Sequence, residues 1–305
     1  MLLELNDINR SLRQDPAAYI AQCDALYGQR VQDAADQIKE RLRHSRIILL
    51  SGPSASGKTT TASRLKKALY ERGIYCHMIS LDDYYKSKST PGFPRAKDGS
   101  PDLESPLALE TELLNEHLNL LDRGEKILVP HFDFQNQRQA PEAARPLQLR
   151  ENEAVIFEGI HGLNPMLTDR NPEATRLFVS TASSVAHRNM EVFNRVWMRV
   201  VRRMVRDFNF RAASAEETLG MWRNVRLGEK RYISPYKSSA HITIDTTHGY
   251  EISAFRPFAE PMLRSLQHNA QPELTEKILA GLVQFEPVEV SLLPRDSLFM
   301  EEFMK

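Results

Sequence analysis

The chain has 305 residues, with 40 lysines and arginines against 40 aspartates and glutamates, so its formal charge is zero. That balance removes any general pull toward nucleic acid or an anionic membrane surface, and the length suits one large α/β domain with helical extensions or two small domains. Cys23 and Cys76 form neither a CxxC pair nor a metal-ligand spacing and read as buried thiols of a reducing compartment; with no membrane-length apolar stretch and a polar, acidic start, a cytoplasmic protein is predicted.

Residues 1–44 read as helical, because Val31, Ala34, Ile38 and Leu42 share one face. A strand over 46–51 runs into a Gly/Ser loop and a helix over about 58–71 that ends at Gly73. A second strand, IYCHMISL, leads into DDYYK and a long Pro/Gly/Ser/Lys loop over about 86–106. A helix over 107–122, the strand KILVP and an irregular stretch follow. The runs AVIFEGI and TRLFVS read as buried strands, 184–229 as helical, AHITIDT as a last strand, and the tail from Tyr250 as mostly helical. Strands alternating with helices predict a parallel sheet covered on both faces, with ligands at the C-terminal strand ends.

Gly52, Pro53, Ser54, Ala55, Ser56, Gly57, Lys58 and Thr59 fit G-x-x-x-x-G-K-[ST] in full, with Thr60 following. Glycines at those positions let successive backbone N–H groups turn toward phosphate oxygens at a helix N-terminus. Lys58 then reaches the β- and γ-phosphates, and the Thr59 hydroxyl can hold Mg²⁺. Between a strand and a helix, this loop predicts a site for a nucleoside triphosphate. There is no NKxD or DxxG sequence for a GTPase and no series of helicase motifs for a motor.

SLDDYY places Asp82 and Asp83 at the catalytic edge of the sheet, one strand over from that loop. Phosphoryl transfer needs alignment, charge neutralisation and one carboxylate near the attacking hydroxyl. Asp82 suits that role, with an N-cap or turn aspartate as the alternative, and the turn reading is the stronger one for Asp83. Glu158 ends the strand VIFE where a carboxylate can hold Mg²⁺ directly or through water; a capping glutamate is the alternative. Arg195, Arg199, Arg202, Arg203 and Arg206 fall within one third of a helix circumference, opposite Val201, Met204 and Val205. They form either a lid that neutralises a transferring phosphoryl group or a solvated, salt-bridged face.

With GPSASGKTT, SLDDYY, LESPLAL, VPHFDF, FEGIHGL and RRMVRD in this order, the chain resembles the uridine kinase family of P-loop kinases, relatives of phosphoribulokinase, over about 46–266. The resemblance implies a three-layer α/β/α fold on a five-stranded parallel sheet, a β-hairpin insertion, a mobile Arg-rich lid and helical terminal extensions. It divides the chain into an N-terminal extension (1–44), a kinase domain (45–268) and a C-terminal tail (269–305). The implied activity is transfer of the γ-phosphate of ATP, with Mg²⁺, to the 5′-hydroxyl of uridine or cytidine. By motif position, Asp82 is the catalytic aspartate, Glu158 the magnesium-associated glutamate, and Arg202, Arg203 and Arg206 the lid arginines. Tyr85, Phe132 and Phe134 are the base-pocket rings.

Three positions depart from the family pattern. Glu104 in LESP stands where an aspartate holds the ribose, Phe132-Asp133-Phe134 replaces a tyrosine-containing segment, and Gln137 stands near the place of a histidine. An amide both donates and accepts, so Gln137 suits uracil or cytosine. The alternatives are a kinase for a sugar phosphate or a pantothenate-like alcohol, and an ATP-sensing module with partner-binding terminal helices. The resemblance also implies a multimer, for which the residues give no derivable interface.

Overall fold

The computed structural model describes residues 2–96 and 99–304; Lys97 and Asp98, in the long loop expected over 86–106, lie outside the described residues. From the start, β1 (Leu2–Glu4), α1 (Leu5–Gln14) and α2 (Pro16–Arg41) lead to β2 (Ile47–Ser51). The Gly-rich loop then opens α3 (Lys58–Tyr70), followed by β3 (Tyr75–Ser80) and α4 (Thr111–Asp122). Four short strands come next: β4 (Ile127–Val129), β5 (Phe132–Asp133), β6 (Arg138–Gln139) and β7 (Arg145–Leu147). The chain continues through β8 (Glu153–Glu158), α5 (Pro165–Thr168), β9 (Thr175–Ser180), β10 (Ser184–His187) and β11 (Met190–Phe193). It ends with α6 (Arg195–Arg211), α7 (Ala215–Tyr232), β12 (Ile242–Asp245), α8 (Glu251–Arg264), α9 (Pro272–Leu282) and α10 (Leu298–Phe303).

Five strands pair in parallel in the order β12-β9-β2-β8-β3. Alternate side chains of a strand point to opposite faces. Ile48 and Leu50 accordingly join one buried cluster with α2, α3, α8 and α10, while Ile47 and Leu49 join a second with Leu114, Leu118 and Leu121 of α4. Burial on both faces is why these strands read as unbroken apolar runs. The first cluster takes in Leu5, Tyr27 and Ile38 from the N-terminal extension and Ile278, Phe299 and Phe303 from the tail. Both extensions therefore share the core of the sheet. The β5–β6 pair supplies the expected hairpin, and both cysteines are buried and unpaired.

The region 184–229 is not helical throughout. Residues 184–193 form the antiparallel β10–β11 hairpin, and β1 adds in parallel to β10, so the first residues are a strand rather than a helix. Arg188 and Asn189 both take positive φ, 49° and 65°, the backbone a tight two-residue hairpin turn requires. A second difference concerns Asp82. Its strand, β3, is two places from β2, with β8 between them; the neighbour of the Gly-rich loop is the strand that carries Glu158.

Candidate active site

The loop after β2 is shaped by close approach. A Cβ at Gly52 would overlap the Val179 carbonyl oxygen, and Gly57 and Ala55 take φ of +81° and +58°. The loop's outward oxygens are held from α6 and from Thr246, just past the end of β12. Arg199 Nη1 donates to Ser54 O (3.3 Å), Arg203 Nη1 to Ser54 Oγ (2.8 Å), Arg202 Nη1 to Ala55 O (3.4 Å) and Thr246 Oγ1 to Ser56 O (2.8 Å). With the carbonyls so engaged, the first-turn N–H groups of α3, which have no intrahelical partner, face the interior of the loop. Lys58 Nζ donates to Pro53 O at 3.3 Å. Burial lowers its ammonium below the ordinary lysine range, and Glu158 and Asp82 pull it back up.

Register fixes the carboxylates. Leu50 pairs with Glu158 and Ser80 pairs with Glu158, so one glutamate stands level with the ends of both β2 and β3. Its Oε1 accepts from Thr59 Oγ1 at 3.1 Å. Burial raises the Glu158 carboxyl, with Lys58 opposing and Asp82 adding to the rise. Asp82 lies in a single 3₁₀ turn, Leu81–Tyr84, begun by the Ser80 side chain, which accepts from Asp82 N at 3.2 Å. Burial lifts its carboxyl, Lys58 lowers it and Asp83 raises it again. Asp83 turns the other way, to Phe132 N (3.4 Å) and His131 Nδ1 (3.3 Å), and fastens the β5 hairpin.

Tyr85, Phe132 and Phe134 form a chain of rings with centroids 5.8 and 5.0 Å apart. Tyr85 and Phe132 are buried, whereas Phe134 is exposed at the rim. The Tyr85 hydroxyl donates to Leu103 O at 2.9 Å. Glu104, next in the chain, is half-buried; burial lifts its carboxyl to about 7 against the pull of Arg203. Above it passes α7, where a Cβ at Gly228 would overlap Glu104 Cβ. Gln137 is not turned toward this cleft. It takes φ +54° and its amide donates to Phe134 O, closing its own hairpin turn. The amide beside the acceptor turn is Gln139, donating to Asp83 O (2.9 Å) and Tyr85 O (2.6 Å).

The arginine stripe divides three ways. Arg195 is exposed, and Arg199 is buried in an ion pair with Glu229 (2.5 Å). Arg202 is wholly buried and every N–H is taken: by Glu251, Thr246 and Ala55. The expectation that Arg202 contacts a nucleotide fails for lack of a free donor; it braces the loop from behind. Arg203 and Arg206 remain half-buried. Asp207 organises them, reaching Arg203 Nε (3.1 Å), Arg206 Nε (3.8 Å) and Arg211 Nη1 (3.0 Å).

The sequence reading missed three groups here. Asp207 stands within the RRMVRD motif but was given no role. His161 follows Glu158 by three residues; it is buried with neither ring nitrogen bonded, and burial and Lys58 lower its pKa to about 3. Glu302 reaches the site from α10, with no local signal to announce it.

The model of the phosphoribulokinase/uridine kinase family matches residues 47–253. The chain belongs to that family. It is 28% identical over 204 residues to a uridine kinase of Staphylococcus haemolyticus, covering 67% of this chain and 88% of that one. It is 29% identical over 199 residues to a uridine kinase of Halalkalibacterium halodurans, covering 65% and 84%. A crystal structure described as a candidate fructose transport system kinase, from Silicibacter, superposes with a TM-score of 0.53 at 17% identity, covering 70% of this chain and 98% of that one. That likeness concerns the P-loop kinase fold.

The residues present suit a magnesium–triphosphate group. Ser56 Oγ and Arg206 Nε are buried without a hydrogen-bond partner, so hydrogen-bonding capacity is left open around the loop. No three His, Cys, Asp or Glu converge among the described residues. Mg²⁺ needs no such cage, since it is held by one or two protein oxygens with phosphate oxygens and water; Thr59 and Glu158 would supply them. Among the described residues, no helix of this family member is long and apolar enough to cross a membrane.

Proposed function

We propose that the protein transfers the γ-phosphate of ATP, with Mg²⁺, to the 5′-hydroxyl of a pyrimidine nucleoside, uridine or cytidine. The observation that carries this reading is the character of the acceptor side: the carboxylates of Asp82, Glu104 and Asp102 act on Tyr85, whose ring packs on Phe132 at 5.8 Å. Such a pocket favours an uncharged polyol bearing a flat ring and repels an acceptor that already carries phosphate.

Residue roles follow from placement. Gly52–Thr60, Lys58 and Arg206 hold the phosphates, and Arg203 neutralises charge at the transferring group. Thr59 and Glu158 would hold Mg²⁺, which would supply charge neutralisation for the phosphates. Asp82 accepts the hydroxyl proton as the new O–P bond forms and the bond to ADP breaks. A carboxyl raised by burial is a better base for this than a solvated one. Glu104 accepts from the ribose hydroxyls, and Tyr85, Phe132 and Phe134 wall the base.

A panel of nucleosides, free sugars, sugar phosphates and pantothenate with Mg–ATP tests this. The expected result is ADP release coupled to a 5′-monophosphate with uridine or cytidine. Product with a phosphorylated acceptor alone would overturn it, as would tight ATP binding without any product.

A further inference from the structure

The C-terminal helix α10 lies outside the residues matched by the family model, yet it packs on the donor side of the P-loop. Leu298, Phe299 and Phe303 are buried. A Cβ at Gly57 would lie 3.3 Å from Leu298 Cδ1. The Arg202 guanidinium sits 5.4 Å from the Phe303 ring centroid, and Asn209 Nδ2 donates to Phe303 O at 2.7 Å. This apolar seating fixes Glu302 between α3 and α6. One carboxylate oxygen accepts from the Thr60 hydroxyl; the other pairs with Arg206 Nη1 at 3.3 Å. Its side chain is 9% exposed, and its charge acts on both Lys58 and Glu158.

The position decides what that carboxylate does. In a loop of this type the lysine attends the β- and γ-phosphates, while the backbone at the helix start cradles the α- and β-phosphates. The α-phosphate end therefore lies toward Thr60, away from Asp82. Thr60 Oγ1 and Arg206 are donors for an oxyanion there, and Glu302 already holds both. A second anion arriving on the same donors meets like charge at short range.

We propose that Glu302 is a donor-site residue that stands in the α-phosphate position as an internal anion, so that a nucleoside triphosphate must displace it and loosen α10. Tail docking and nucleotide binding are then mutually antagonistic, each weakening the other by the same factor. The claim rests on the reading of Gly52–Thr60 as a triphosphate cradle and is independent of the acceptor.

The test uses the full chain, Mg²⁺ and a fluorescent non-hydrolysable ATP analogue, with no acceptor. Glu302→Gln keeps the shape and an acceptor for Thr60 but removes the charge, and is expected to bind the analogue about tenfold more tightly, ~1.4 kcal/mol. Glu302→Asp, which keeps the charge, is expected to stay near wild type. A second measurement needs no variant: amide exchange over 298–303 of the wild-type chain is expected to quicken when the analogue is added. Equal or weaker binding by Glu302→Gln, or exchange that slows or stays unchanged, overturns the proposal while leaving the cradle intact. Absence of analogue binding to every form overturns the cradle itself, and the proposal with it.

Discussion

The Thr59 hydroxyl donates to Glu158 Oε1 across 3.1 Å, although the two are 99 positions apart in the chain. Parallel pairing of β2 with β8 brings this about, because the end of one strand opens the P-loop and the end of the other delivers the carboxylate. On the proposed function, the pair would be the protein's share of a magnesium site. Glu158→Gln is expected to raise the Mg²⁺ concentration required for half-maximal turnover by about 10–100-fold, the range seen when metal-orienting groups are lost. Turnover measured against free Mg²⁺ checks it: activity should recover partly at high Mg²⁺ in the variant, and vanish reversibly on chelation in both proteins. An unchanged Mg²⁺ dependence removes Glu158 from the metal.

Asp82 stands at the acceptor edge near Lys58 and is not fastened to the β5 hairpin, as Asp83 is. As the proton acceptor it should be indispensable to turnover and dispensable for the donor. Asp82→Asn is expected to lower turnover by about 10²–10⁴-fold. Nucleotide affinity should hold or tighten, since a negative charge beside the phosphates has gone. Initial rates and an analogue titration separate the two effects, and near-wild-type turnover ends the assignment.

What was legible in the sequence was what is local. The P-loop is eight consecutive residues, and buried strands announce themselves by unbroken apolar runs. The helix over 195–206 was legible as a helix with an arginine face, but periodicity says which residues share a face and not what that face meets. Arg202 meets Glu251, 49 residues on, and so lies in the core. Gln137 was placed by spacing in a segment that proves to be a tight turn, while Gln139, on the paired strand β6, reaches the site. The β10–β11 hairpin was hidden because its strand partner, β1, comes from the far end of the chain. Glu302 was invisible for the same reason: 242 residues separate it from Thr60.

Glu104 gives a pH dependence with a definite sign. Its carboxyl lies at about 7 in the folded chain, above the ordinary 4.5. Between those values the folded state keeps a proton that the unfolded chain releases, so this group's contribution to stability falls as pH rises from about 4.5 to 7. Binding runs the other way, since only the carboxylate accepts from both ribose hydroxyls. The acceptor KM is expected to fall as pH rises from 6 to 8, and Glu104→Gln should flatten that limb while leaving the KM for ATP unchanged. A KM profile identical in the variant would assign the titration elsewhere.

The Arg202–Glu251 pair is fully buried, with Nη2 to Oε2 at 2.5 Å. Burial lifts the Glu251 carboxyl to about 7 even against the adjacent guanidinium. Removing one charge strands the other, so Glu251→Gln is expected to cost about 3–5 kcal/mol of folding stability. Replacing both together, Arg202→Met with Glu251→Leu, should restore much of that loss, because the desolvation of both charges disappears. Urea unfolding of the three variants reads this directly. A double variant as unstable as the single one shows instead that the hydrogen bonds to Thr246 and Ala55 matter more than the charge pair.

Helix α7 carries two glycines with opposite surroundings. Gly228 lies where an added Cβ would overlap Glu104 Cβ and stand 2.8 Å from its Cγ, whereas Gly220 is exposed with nothing within 4 Å. Each Gly→Ala change should favour the helix itself by roughly 0.5–1 kcal/mol. At Gly220 that gain is free, so the expected outcome is higher thermal stability with unchanged kinetics. At Gly228 the methyl meets the backbone-proximal part of a side chain that cannot swing aside, and either α7 or the Glu104 backbone must shift. The acceptor KM is then expected to rise about tenfold or more for Gly228→Ala, with a smaller effect on analogue binding carried through the neighbouring Glu229–Arg199 pair, which reaches Ser54 O. Equal acceptor KM values for the two variants would mean that α7 does not close over Glu104 during turnover.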